Sequence, residues 1–185
     1  AGGGLVVGGR WCGVGELAMG GGRPQFADLS SMLASGQLWR LVTPVFLHFS
    51  VAHLLFNTAV LIEFGRRVER GLSGAALLGM VLAIAVASNL AQYLSTGPSM
   101  FGGMSGVAYG LVGFVVVRGR KTPENPLWQV NRSFVVAVVV FLVLMSTGVT
   151  ELFGLHIANA AHWVGLSLGA LIGLPGRSRR SGDTP

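Results

Sequence analysis

Apolar residues gather along this chain in long unbroken stretches, without the strict alternation of strands or the polar face of a surface helix. The stretches are Val45–Ile62, Ala75–Leu94, Met104–Val117, Phe134–Val149 and Leu155–Leu174. Each approaches the roughly 20 residues with which a helix crosses about 30 Å of bilayer hydrocarbon. The pattern predicts five membrane-spanning helices. Residues 1–22, AGGGLVVGGRWCGVGELAMGGG, fit this pattern poorly, because the glycines, Arg10 and Glu16 weaken both helix formation and insertion. They read either as a marginal or truncated first helix or as a glycine-rich leader. A cleaved signal peptide fits less well, since no charged leader and compact apolar segment precede a cleavage pattern.

Composition strengthens the membrane reading: 51% of the residues are hydrophobic and 11% charged, with a mean hydropathy of +0.65. The formal charge of +6 does not point to nucleic acid, because the basic residues are placed as an orientation signal. Arg66, Arg67 and Arg70 follow the first apolar stretch; Arg118, Arg120, Lys121 and Arg132 follow the third; Arg177, Arg179 and Arg180 follow the last. Loops 95–102 and 148–156 carry no Lys or Arg. The positive-inside rule then puts the basic loops and the C-terminus in the cytoplasm and the other two loops outside. The expected organisation is one transmembrane domain over residues 1–175 and a disordered cytoplasmic tail over 176–185. Cys12 is the single cysteine, so an internal disulfide and a cysteine metal cluster are excluded, and neither metal nor cofactor is expected.

Polar residues inside spans are costly to insert and mark function by default. Here they are His53 and Asn57 in the first stretch, Ser105 at the head of the third and His162 in the last. Thirteen residues separate Ser105 from Arg118 and His53 from Arg66, and fifteen separate His162 from Arg177. At about 1.5 Å per residue these polar groups share one level, roughly 20 Å above the basic end and about 10 Å below the outer surface. A helix that starts near Ser105 obliges residues 95–103 to enter the membrane zone as irregular backbone, which is tolerated where protein or a watery cavity surrounds it. The helix start also offers unpaired N–H groups and the positive end of a dipole, suited to an oxyanion. Gly102, Gly106 and Gly110 recur every four residues, as do Gly165, Gly169 and Gly173, the small-residue spacing that brings membrane helices together. That pairing sets Ser105 against His162, with Tyr109 one turn below the serine.

The strings HFSVAHLLFN (48–57), GGMSGVAYG (102–110) and ANAAHWVGLSLG (158–169) together resemble the rhomboid family of intramembrane serine proteases, in its bacterial form. The resemblance runs from about Gln37 to Leu174 and implies an all-α bundle of six transmembrane helices, the first of them weak or truncated here. It implies a catalytic dyad of Ser105 and His162. It further implies an oxyanion hole of His53, Asn57 and the Ser105 backbone N–H, with Tyr109 supporting His162 and Gly103, Gly106, Gly165 and Gly169 in the supporting motifs. Residues 17–39 correspond to the family's outward loop, while Arg40 and Glu69 correspond to structural polar networks.

A serine hydroxyl needs an adjacent base at neutral pH, and no acidic residue lies at the depth of His162 to complete a triad. The function expected is endoproteolysis of other transmembrane proteins near the outer side of a bacterial inner membrane. The partners are then such substrates and the lipid bilayer, not nucleic acid or metal. A catalytically inactive rhomboid-like binding protein is the alternative, although such a protein should lack the serine or the histidine. A channel or transporter fits less well, because the cytoplasmic halves of the spans are apolar and no repeat is present.

Overall fold

The computed structural model describes residues 5–7, 10–12, 29–99, 101–153 and 157–174. Six helices lie among them: α1 Leu29–Ala34, α2 Val51–Gly71, α3 Gly74–Thr96, α4 Ser105–Lys121, α5 Arg132–Ser146 and α6 Asn159–Gly173. The five long helices coincide with the five apolar stretches, and the architecture is that of an all-α membrane bundle. Of residues 1–22, those described form two short strands, Leu5–Val7 and Arg10–Cys12, paired antiparallel with Leu5 opposite Cys12. They are not part of a first helix. The valines favour extended backbone. The rest of the weak first helix, and the tail 176–185, lie outside the described residues.

Local sequence sets where each helix begins. Residues 43–46 turn as a 3-10 helix around Pro44, so the first apolar stretch becomes α-helical only at Val51, where the Ser50 hydroxyl accepts the His53 N–H at 3.1 Å. Ser73 caps α3 in the same way through Ala76 N–H, and α3 stops at Gly97, whose φ is 69°. Asn131 caps α5 through Ser133 N–H at 2.7 Å. By length and composition, α3 and the segment Pro126–Ser146 are apolar enough to cross a membrane. The other long helices differ for visible reasons: α2 carries Glu63, Arg66, Arg67, Glu69 and Arg70 toward its end, while α4 and α6 have only 17 and 15 residues.

Helix α4 runs through the centre, buried without interruption from Gly106 to Val115. Phe64 and Val68 of α2, Met80 and Ile84 of α3, and Leu111 and Phe114 of α4 belong to one apolar cluster. Against α6 the contact is backbone to backbone. A Cβ on Gly165 would run into the Gly106 carbonyl, and one on Gly169 into the Gly110 carbonyl. The four-residue glycine spacing therefore does form the α4–α6 seam.

At the basic end, Arg67 pairs with Glu63 at 2.5 Å and donates to the carbonyls of Leu127 at 3.1 Å and Gln129 at 2.8 Å, which ties the α4–α5 connection to α2. Arg40 is buried, with its Nε donating to Gln37 Oε1 at 2.5 Å. Glu69 is exposed and in no ion pair among the described residues, so the acidic member of the polar network at this end is Glu63.

Candidate active site

Helix α4 starts at Ser105 itself, with Met104 in the cap position and no side-chain cap. The first-turn N–H groups are thus left to whatever occupies the space in front of the helix. The preceding loop is held by protein, as irregular backbone at this depth requires. Gly103 N–H donates to the Pro44 carbonyl at 2.9 Å, and a Cβ on Gly102 would approach Leu47 Cβ to 2.6 Å. Phe101 is buried in a cluster with Met32 of α1 and Tyr93 of α3.

The seam brings the serine and the histidine together. Ser105 Oγ lies 2.7 Å from His162 Nε2. His162, on the first turns of α6, is buried, and its Nδ1 has no hydrogen-bond partner among the described residues. The Tyr109 ring lies against the imidazole, centroids 4.8 Å apart and planes inclined by 39°. Glycine is needed at both sides of the contact: on Gly106 a Cβ would meet Ser88 Cβ at 2.8 Å and the Ala161 carbonyl at 3.2 Å.

Two further residues from α2 approach the serine. A Cβ on Gly103, whose φ is 116°, would fall 2.6 Å from His53 Cε1 and 2.8 Å from Nε2, so the imidazole is packed directly on the backbone two residues before Ser105. This is a position that only glycine fills without strain. His48 flanks the same ring edge-on at 5.0 Å. Asn57, one turn below His53, is 1% exposed, and both atoms of its amide lack a hydrogen-bond partner among the described residues. A buried, unpaired amide costs of the order of 1–3 kcal/mol and calls for an explanation. It lines, with Ser105 and Tyr109, a cavity of about 300 Å³ whose other walls include Phe56 of α2 and Phe134 and Phe141 of α5.

Reading the sequence missed a polar strip on α3. Ser88, Asn89 and Gln92 are all buried. Asn89 Nδ2 donates to the Leu41 carbonyl at 2.8 Å, and Gln92 Oε1 accepts the Ala161 N–H at 3.3 Å. Gln92 thereby satisfies a first-turn donor of α6 immediately before His162. The signal was present as SNLAQ in the middle of an apolar stretch, where polar residues are as costly as the histidines.

The fold and the site together define a helical membrane protein in which a serine at a helix start meets a histidine of a neighbouring helix. The Rhomboid domain model matches residues 35–179, and the chain belongs to the rhomboid family. Within that family it is similar to the bacterial GlpG type. It is 39% identical over 136 residues to Rhomboid protease GlpG of Yersinia pseudotuberculosis serotype I (strain IP32953), covering 74% of this chain and 47% of that protein. With Rhomboid protease GlpG of Enterobacter sp. (strain 638) the identity is 36% over 132 residues, covering 71% of this chain and 46% of the relative. The chain spans about half the length of the curated relatives it matches.

Proposed function

We propose that this protein is an intramembrane serine endopeptidase that cleaves transmembrane protein substrates near the outer side of a bacterial inner membrane. The observation that carries the reading is the 2.7 Å contact of Ser105 Oγ with His162 Nε2 at the start of a buried helix. In this reading His162 takes the hydroxyl proton through Nε2 as Ser105 Oγ attacks the scissile carbonyl carbon. The histidine then returns the proton to the leaving amine as the C–N bond breaks. Water, giving a proton to the same nitrogen, hydrolyses the acyl ester and restores the serine. Tyr109 and the glycine seam hold the imidazole where a carboxylate would hold it in a triad.

The tetrahedral intermediates place negative charge on the former carbonyl oxygen, and the Ser105 backbone N–H, the Asn57 amide and His53 are the donors assigned to it. An oxyanion partner accounts for the buried, unpaired state of Asn57 Nδ2. The aromatic-walled cavity beside Ser105 suits an apolar or small substrate side chain entering from the bilayer. The basic ends of the helices are assigned to the cytoplasm, with the C-terminus on that side and the loop before Ser105 facing outward.

Cleavage of a tagged single-span reporter by purified protein tests the assignment. Ser105→Ala removes one oxygen and little volume, so it should abolish cleavage while thermal unfolding stays unchanged; His162→Ala should match it, since the pair acts as one unit. Asn57→Ala should slow cleavage by on the order of 10²-fold. Reporter cleavage that persists in Ser105→Ala would return the serine to helix packing.

A further inference from the structure

The groove between α4 and α5 at the basic end of the bundle is lined by none of the residues assigned to the reaction. It encloses about 610 Å³, against about 300 Å³ beside Ser105. Its long wall is made of valines on α5, of which Val136, Val139 and Val140 are exposed by 52%, 44% and 59%. Arg120, from the last turn of α4, and Arg132, from the first turn of α5, both line it. Both are exposed, and the Arg67–Glu63 ion pair involves neither. No carboxylate lines the groove.

The rim is built without help from these two arginines. Gly119 lets the following chain pass so close that a Cβ there would strike the Trp128 carbonyl, and Gln129 Nε2 donates back to the Gly119 carbonyl at 3.2 Å. Arg67 holds the Gln129 carbonyl from the α2 side at 2.8 Å. Two arginines from different helices therefore line one groove together with its valine wall. From Arg132 to Val140 the trough runs about 12 Å along the helix, close to the roughly 15 Å depth of one leaflet's hydrocarbon. The valine wall belongs to the segment Pro126–Ser146, which is apolar enough to cross a membrane, so its occupant comes from the bilayer.

We propose that this groove is a binding site for an anionic phospholipid, its phosphate held by Arg120 and Arg132 and one acyl chain laid along Val136, Val139 and Val140. Phosphate between two guanidinium groups is a strong, charge-assisted arrangement. Neutralising that rim also fastens the α4–α5 connection to the leaflet on its own side, at the end of the bundle away from Ser105. A zwitterionic lipid offers the same chain but a cancelled headgroup charge and should bind less well.

Native mass spectrometry of the delipidated full chain with added dioleoylphosphatidylglycerol or dioleoylphosphatidylcholine reads the site directly. Wild type should retain the anionic lipid with a preference on the order of 10-fold, and Arg120→Gln/Arg132→Gln should lose that preference. Arg66→Gln/Arg70→Gln removes the same charge outside the groove and should keep it. Val139→Trp fills the trough with both arginines intact and should also reduce retention. Equal loss in Arg66→Gln/Arg70→Gln would reduce the site to a diffuse basic surface and overturn the proposal. Full displacement of the lipid by millimolar inorganic phosphate, or undiminished retention in Val139→Trp, would overturn it too, since neither is compatible with an acyl chain in the trough.

Discussion

Helices α5 and α6 both flank α4 and are equal in length, yet they are attached to the bundle by opposite means. Helix α6 buries Ala161, His162, Gly165, Gly169 and Gly173, and its glycines meet backbone carbonyls of α4. Helix α5 buries only Leu142 and leaves Phe134, Val136, Val139, Val140, Phe141, Val143 and Leu144 exposed. Its C-terminal end is held to α6 by two hydrogen bonds, Asn159 Nδ2 to the Met145 carbonyl at 3.0 Å and Trp163 Nε1 to Ser146 Oγ at 2.9 Å. The two residues of the serine–histidine pair stand on the rigid seam, whereas one wall of the cavity beside them stands on the loosely attached helix. In lipid there is no hydrophobic gain in hiding valine from acyl chains, so close packing is reserved for small residues whose backbones can touch. A site that needs fixed geometry and access from the bilayer can obtain both from this division.

The comparison breaks most severely at the seam. Gly169→Val sets a branched side chain against the Gly110 carbonyl, and overpacking of this kind should cost about 3 kcal/mol or more. The expected outcome is loss of reporter cleavage together with a large fall in the thermal midpoint in detergent; near-normal stability would show that α6 can move away and that the seam is not rigid.

A smaller effect is expected where the seam is positioned rather than packed. Gln92→Ala leaves Ala161 N–H unpaired next to His162. It should lower kcat by on the order of 10-fold with KM little changed, as removal of a group acting only on the pair's geometry would do. A rise in KM alone would assign Gln92 to substrate binding instead.

The smallest change concerns the loose helix. Asn159→Ala with Trp163→Phe removes both hydrogen bonds at the C-terminal end of α5, and such bonds in membranes average about 0.6 kcal/mol each. Hydrogen exchange should quicken in the last turn of α5 around Met145 and Ser146 while α4 and α6 stay protected. Equal acceleration in α6 would mean that the two helices open as one unit and that the contrast between them is false.

Some of this was legible before any coordinates. The five apolar stretches locate the five long helices, because hydrocarbon demands an unbroken run of apolar side chains and leaves little else to vary. Ser105, His162, His53 and Asn57 stood out for the same reason: a polar group in a span is expensive enough to be conspicuous. The four-residue glycine spacing announced a close contact, since it is a local rule of backbone approach.

Tertiary structure alone decided the rest. Spacing placed Ser105 and His162 at one depth, but only the meeting of Gly106 and Gly165 brings Oγ to 2.7 Å from Nε2. Asn89 and Gln92 lay in plain view as polar residues of a span, but their partners, Leu41 and Ala161, are 48 and 69 residues away. The reading of residues 1–22 as a marginal or truncated helix failed for residues 5–7 and 10–12, where pairing with a neighbouring strand outweighed a weak helix tendency. Glu63 and Glu69 are both charged positions on α2, and which one pairs depends on the face that α2 turns toward Arg67 and the α4–α5 connection. Depth, span and capping follow from each segment's own residues and the solvent around it. Which side chains meet follows from helix rotation and approach, and these are fixed only when all the segments pack at once.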